Sequence, residues 1–292
     1  METEQIRLED AIHQSSSSNN TEPIDSAQKR HTIRIGNLEI GDLAAPVIIA
    51  GPCSVESYEQ IMIIAEQAKN AGANMLRGGA YKPRTRPESF QGLGEDGLKY
   101  LKAASNKTGL PIVTEITSEE HLQIMLKYVD ILQIGSRNMQ NYELLKKIGK
   151  HASTTPILLK RGMSATKEEL IGAIDYLTHS GHNDDIIICE RGIRTSVNEG
   201  YSRNILDLNI ASDLKMSTKY PIIIDPSHAA GRADLIADLS RAGIAVGANG
   251  LIIEVHTHPN RAISDAKQHI TPKELEYIVN DTKKIYDIIH KK

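Results

Sequence analysis

From Pro46 onward the chain alternates between two hydrophobic patterns. Short apolar runs occur at 47–50, 75–78, 112–116, 131–135, 157–160, 186–189, 222–225 and 251–255. They are continuous rather than alternating, as in parallel strands buried on both faces. The segments between them carry apolar residues three and four apart, for example Ile61-Ile64-Ala65-Ala68, Leu122-Met125-Leu126 and Leu235-Leu239-Ala242. That spacing predicts helices. Ser57, Ser118 and Thr166 are suited to N-caps, and Gly243 and Gly247 are read as lying between the seventh helix and the last strand. Eight buried strands alternating with helices predict an α/β fold, a closed (β/α)₈ TIM barrel. A doubly wound open sheet is the alternative, but no G-x-G-x-x-G or P-loop follows a strand.

Residues 31–43 read as two short strands around Gly36-Asn37, a β-hairpin preceding the barrel. Residues 1–30 read as a polar, flexible tail. It contains Ser15 to Asn20, SSSSNN, which has too little apolar surface to offset its ordering entropy. Ile6, Leu8 and Ile12 suggest only a short helix within it. The expected organisation is a tail, 1–30, and one catalytic barrel domain with its hairpin, 31–292.

Composition agrees with one soluble domain. The chain has 292 residues, 40% hydrophobic, with no Trp and one Phe, so Ile, Leu, Val and Ala must fill the core. A net charge of −3 argues against a nucleic-acid partner. The two cysteines, Cys53 and Cys189, are far apart and imply a reducing compartment rather than a disulfide framework. No apolar leader and no run of about 18 apolar residues occur, so no membrane is expected and the protein is read as cytoplasmic.

Chemistry in such barrels gathers at the C-terminal strand ends. The second strand runs into Leu76-Arg77-Gly78-Gly79-Ala80-Tyr81-Lys82-Pro83-Arg84-Thr85-Arg86-Pro87, a loop rich in cations and stiffened by two prolines. Its glycines are read as letting the backbone approach a ligand. With Arg137, Lys160 and Arg191 from the fourth, fifth and sixth strand ends, Arg77, Lys82 and Arg84 would ring the barrel mouth. Such a ring fits a substrate with more than one anionic group. One or two of these cations are expected to pair with Glu115, Glu190 or Asp225 instead. The first, seventh and eighth strand ends carry Cys53, His228, Glu254, His256, His258 and Asp265. This mixed set suits a borderline divalent ion such as Mn, Fe, Co or Zn. On spacing alone, an inert buried Cys53 and a core His228 are equally open. Cys189 reads as core.

These residues resemble one family closely. The strings AGPCSVES (50–57), RGGAYKPRT (77–85), SFQGLGEDGL (89–98), IGSRNMQNYELL (134–145), LLKRGMSAT (158–166), CERGIRT (189–195), IDPSHAAGR (224–232) and EVHTHPNRAISDAKQ (254–268) resemble those of the 3-deoxy-7-phosphoheptulonate synthases, in their short bacterial and archaeal subtype. The resemblance covers nearly all of residues 45–270. It implies a barrel enzyme condensing phosphoenolpyruvate with erythrose 4-phosphate, the first step of the shikimate pathway. It implies one divalent metal ion on Cys53, His228, Glu254 and Asp265. It implies phosphoenolpyruvate on Arg77, Lys82, Arg137, Lys160 and Arg191, and the aldose phosphate on Arg84 and Thr85, with Ser136 between the two. Lys82, His228 and Glu115 become candidates for proton handling. A homodimer or homotetramer is expected.

Two positions depart from the family pattern. KPRTSP becomes Lys82-Pro83-Arg84-Thr85-Arg86-Pro87, and Glu88 replaces an aromatic residue. The preferred reading pairs Arg86 with Glu88 in solvent; the other brings Arg86 into the aldose pocket and changes the sugar preferred. Only about 45 residues precede the first strand, too few for the regulatory domain of many relatives, so feedback inhibition by aromatic amino acids, prephenate or chorismate is not expected. A sister synthase using arabinose 5-phosphate and a non-catalytic barrel subunit are the competing readings. The first carries a K-A-N-R-S segment where this chain has Lys82-Pro83-Arg84-Thr85. The second has no need of a complete metal set.

Overall fold

The structure is a computed structural model and describes residues 31–41, 44–84, 86–196 and 201–290. The expected tail 1–30 and its short helix lie outside the described residues. The hairpin is present: β1 (Ile33–Ile35) pairs antiparallel with β2 (Leu38–Ile40) across Gly36-Asn37. Eight parallel strands then close a barrel. They are β3 (Val47–Gly51), β4 (Met75–Arg77), β5 (Ile112–Ile116), β6 (Ile131–Ile134), β7 (Ile157–Lys160), β8 (Ile186–Glu190), β9 (Ile222–Ile224) and β10 (Gly250–Glu254). β10 closes on β3, with Glu254 opposite Gly51.

Alternation along each strand divides the core into two layers. Val47, Ile49, Met75, Val113, Ile131, Leu158, Ile187, Cys189, Ile223 and Ile252 face inward and pack against Ile33, Ile35 and Ile40 of the hairpin. The hairpin therefore plugs the N-terminal end of the barrel and leaves the C-terminal end for the site. Cys189 sits in this inner layer, as expected. Ile48, Ala50, Leu76, Ile112, Leu132, Ile134, Ile157, Leu159, Ile186, Ile188, Ile222, Ile224, Leu251 and Ile253 face outward onto the helices.

The helices form where the apolar spacing predicts them. Ser57 accepts from the Gln60 amide at the start of Tyr58–Asn70. Thr166 and Glu169 form a reciprocal capping box at Lys167–His179. Ser118 caps only a short 3₁₀ turn, Glu119–His121, which leads into a single helical turn, Leu122–Met125. Gly243 lies inside the helix Ile236–Ala245 rather than after it. A Cβ there would come 2.9 Å from the Ile224 side chain, so packing against β9 selects glycine, and only Gly247 follows the helix. Among the described residues no helix is long and apolar enough to cross a membrane.

Candidate active site

The strand ends enclose a cavity of about 310 Å³. Arg77, Lys82, Arg84, Arg86, Arg137, Lys160, Arg191 and Arg203 line it, against two carboxylates, Glu115 and Asp265. Ser136 and His228 line it as well. A strongly cationic cavity inside a protein of net charge −3 focuses its field on an anionic ligand.

The register explains the convergence. β3 ends at Gly51, beside Arg77 at the end of β4. A Cβ on Gly51 would lie 2.0 Å from the Arg77 carbonyl oxygen, and its φ is +152°, so only glycine permits this approach. Cys53 follows two residues later, next to Glu254. Gly78 and Gly79 serve the same packing. The Gly79 amide donates to the Cys53 carbonyl (3.2 Å), and the Val55 amide to the Gly79 carbonyl (3.0 Å). Their backbone thus packs closely against the neighbouring strand end. Gly92, at φ +95°, would place a Cβ 2.1 Å from the Ala80 carbonyl oxygen. There the loop folds back, and the Lys82 amide donates to the Gln91 carbonyl (2.9 Å).

The donor set fits a divalent metal ion. One ligand atom each from Cys53, Glu254 and Asp265 lies within 4.8 Å of the others. His228 is outside that group of three, but its Nε2 is 3.5 Å from Glu254 Oε1. Glu254 Oε1 is buried without an aligned hydrogen-bond donor, which leaves it a lone pair for a cation. His228 Nδ1 contacts Asp225 Oδ2 at 2.8 Å, which turns Nε2 toward the site. Burial holds the His228 imidazole below its usual range, so it is neutral and able to ligate. Burial opposes ionisation of Glu254, but the nearby cations Arg77 and Lys82 outweigh it and hold the carboxylate well below its usual range. Burial, reinforced by Glu254, pushes the Cys53 thiol up to about 12. His256 and His258 lie outside that group of three, and His256 Nε2 instead is 4.0 Å from Glu56.

The cations divide into engaged and available groups. Lys160 pairs with Asp225, and Arg77 Nη2 lies 3.0 Å from Glu254 Oε1. Arg77 Nε and Nη1 are buried without partners, donors left for an anion. Lys82 Nζ donates to the Cys53 carbonyl (3.0 Å) and lies 3.1 Å from Cys53 Sγ. Burial disfavours its ammonium form, but Cys53, Glu115 and Glu254 outweigh that and raise it above the usual lysine range. Arg191 is 4% exposed and donates to the Gly192 carbonyl (3.2 Å). Among the described residues no carboxylate lies within ion-pair distance of it. Burial lowers its guanidinium, a cost that a bound anion would offset. Arg137 stands exposed at the mouth, and Arg84 donates to Ser264 Oγ (2.6 Å). Thr85 lies outside the described residues.

Of the expected structural pairs only Lys160–Asp225 forms. Glu190 instead accepts from Arg161 Nη1 (3.1 Å), which also bonds Asp207 (2.9 Å). Arg86 and Glu88 form no ion pair among the described residues, and Arg86 lines the cavity. The pair of the preferred reading is therefore absent, while both side chains remain exposed. Sequence reasoning missed Gln133 and Arg203. Gln133 is a polar residue within an apolar strand, a legible signal. Arg203, bonded to Gln268 Oε1 (3.0 Å) and near Asp265 Oδ1 (3.4 Å), carries no such marker.

Comparison with known proteins bears on the same residues. The family model described as the DAHP synthetase I family matches residues 19–290. The phospho-2-dehydro-3-deoxyheptonate aldolase of Thermotoga maritima is 48% identical over 257 residues, covering 88% of this chain and 74% of that protein. The 2-dehydro-3-deoxyphosphooctonate aldolase of Geotalea daltonii is 27% identical, covering 88% of this chain and 98% of that one. The crystal structure of the Thermotoga maritima DAHP synthase superposes with a TM-score of 0.83 at 46% identity, covering 89% of this chain and 74% of that one. A truncated form of it gives 0.81 at 43% identity, covering 89% and 94%. With the fold, the eight strand-end motifs and these matches in agreement, the chain belongs to the DAHP synthetase I family.

Proposed function

We propose that this protein condenses phosphoenolpyruvate with erythrose 4-phosphate and water, yielding 3-deoxy-D-arabino-heptulosonate 7-phosphate and inorganic phosphate, with a divalent metal ion on Cys53, His228, Glu254 and Asp265. The observation that carries it is a cation-lined cavity whose wall includes Asp265, one member of the Cys53–Glu254–Asp265 cluster, and His228 beside it, in a chain of this family.

The roles follow from charge and position. Arg77, Lys82, Arg137, Lys160 and Arg191 hold the carboxylate and phosphate of phosphoenolpyruvate and fix its C3 toward the aldehyde. Arg84 and Thr85 take the phosphate of the aldose, and Ser136 lies between the two substrates. The metal ion, when bound, supplies Lewis-acid polarisation at the aldehyde oxygen. C3 bonds to the aldehyde carbon, water adds at C2, and the C2–O bond to phosphate breaks. The water gives up both protons as its oxygen becomes the C2 ketone: in net balance one goes to the aldehyde oxygen and the other to the departing phosphate. Lys82, kept cationic, and Glu115 line the cavity where both exchanges occur. His228, held neutral, acts as a ligand that Asp225 orients.

Residues 31–292 act as one catalytic unit, because the hairpin completes the inner core. A cytoplasmic homodimer or homotetramer is expected, and light scattering of the purified protein tests the assembly. A second reading, that another aldose phosphate such as arabinose 5-phosphate is preferred, is favoured by Arg86 in the cavity wall.

The test is turnover with Mn²⁺ and phosphoenolpyruvate, offering erythrose 4-phosphate or arabinose 5-phosphate in parallel and following phosphate release. Turnover with the four-carbon sugar, lost with chelator and in Cys53→Ala, is expected. Turnover with arabinose 5-phosphate alone would move the substrate, and none with either would overturn the proposal.

A further inference from the structure

Cys53 and Asp265 come from opposite ends of the barrel sequence, and one buried side chain ties them together. His269 Nε2 accepts the Cys53 backbone N–H at 3.0 Å. Its other nitrogen, Nδ1, donates to the Asp265 carbonyl oxygen at 3.1 Å. The first bond fixes the tautomer: a nitrogen that accepts from an amide carries no proton, so the proton sits on Nδ1. The ring is 1% exposed, and both its nitrogens are used.

The second bond falls on a strained residue. Asp265 has φ +53° and ψ +34°, the left-handed region, and is not a glycine. Such a conformation persists only when neighbouring bonds hold it. The Asp265 carbonyl also receives the Gln268 amide (3.1 Å), so His269 supplies one of two bonds there. With both ends held, Cys53 Sγ and Asp265 Oδ2 lie 3.3 Å apart. The adjacent residue orients a third ligand, since Gln268 Nε2 donates to Glu254 Oε2 at 2.6 Å.

We propose that His269 is a positioning residue for the metal site, fixing the thiolate and the carboxylate at ligating distance through the backbones that carry them. This rests on the metal reading given above. His269 itself ligates nothing, because neither nitrogen is free. Its two bonds can be separated by substitution. In His269→Gln the amide oxygen reaches the place of Nε2 and can keep the bond to Cys53. In His269→Asn the amide nitrogen stands near Nδ1 and can keep the bond to Asp265.

The test is Co²⁺ titration of the purified, metal-free protein, followed by the near-ultraviolet thiolate-to-cobalt charge-transfer band. The wild type is expected to show the band and Cys53→Ala to lose it; a wild type with no band, or a band that survives Cys53→Ala, would sink the metal reading itself. Given the band, His269→Ala is expected to bind Co²⁺ about 10–100-fold more weakly, with Gln and Asn intermediate. Phosphoenolpyruvate affinity of the metal-free variants should stay within about twofold, because the ring bonds none of the anion-holding cations directly. Wild-type Co²⁺ affinity in His269→Ala would overturn the proposal. So would a parallel loss of phosphoenolpyruvate binding, which marks a merely structural role. If His269→Ala does not fold, the Gln and Asn variants decide, and wild-type affinity in both would count against the proposal.

Discussion

Lys82 Nζ lies 3.1 Å from Cys53 Sγ and donates to the Cys53 carbonyl at 3.0 Å. The anion-holding loop after β4 is thereby joined to the thiol after β3, and one ammonium serves both halves of the site. Lys82→Met is expected to lower kcat by about 10²–10⁴-fold, the usual range for a proton-handling group, and to weaken Co²⁺ binding as well. Lys82→Arg should not rescue, since a planar fork does not replace a point charge at a thiol. Steady-state kinetics and a Co²⁺ titration check this. Wild-type metal affinity in Lys82→Met would break the link between the two halves.

Metal removal should abolish turnover, and Mn²⁺ should restore it. A ligand at about 100 times its Kd contributes roughly 2.7 kcal/mol to apparent stability. Thermal unfolding with and without Mn²⁺ should therefore differ in the wild type and coincide in Cys53→Ala. Equal unfolding of the wild type under both conditions would argue against a resident ion.

Arg86 lines the cavity and has no ion pair with Glu88. Arg86→Ser is expected to raise KM for the aldose phosphate about fivefold, on the order of 1 kcal/mol for an exposed charge contact, and to leave KM for phosphoenolpyruvate unchanged. The same variant measured with arabinose 5-phosphate shows whether Arg86 sets the choice of sugar. Unchanged KM for both sugars would return Arg86 to solvent.

Far from the site, Asp184 accepts from Lys219 and from the Tyr220 hydroxyl (2.5 Å). Burial opposes its ionisation, but these two partners outweigh it and hold the carboxyl below its usual value. A depressed carboxyl stabilises the fold above its unfolded value of about 3.9. That contribution is lost as pH falls through the lower, folded value. Asp184→Asn is expected to lower Tm by a few degrees near pH 7, with the gap closing below about pH 4. Asparagine tolerates the backbone φ of +78° there, so the variant isolates the charge. A gap that widens in acid would refute the assignment.

Ile40 tests whether hairpin and barrel are one unit. It is fully buried in the inner layer with Ile49 and Ile252. Ile40→Ala should cost about 2–5 kcal/mol of global stability in a single cooperative transition. A separate early transition would make the hairpin an independent element.

Periodicity alone revealed much of the fold. Continuous apolar runs cannot serve a one-sided sheet, and eight of them alternating with helical spacing leave few architectures open. The barrel then dictated where to look, because side chains just past each strand end share one face. Arg77, Lys160, Arg191, Cys53 and Glu254 were legible in that way. Arg203 was not, since nothing in its local sequence marks it as lining the cavity. Gly243 was misplaced because packing against Ile224, not a helix end, selects glycine there.

By itself the sequence determined the strand order, the chemistry available at the barrel mouth and the family. These depend on local spacing and residue type, which survive translation into a string. Partnership was decided only by the tertiary structure. It gave Glu190 to Arg161, Asp225 to Lys160 and His228, and the Cys53 and Asp265 backbones to His269. Each choice turns on ångström distances between residues far apart in the chain, set by the closure of β10 on β3 and by the loops above it. No periodicity encodes such distances.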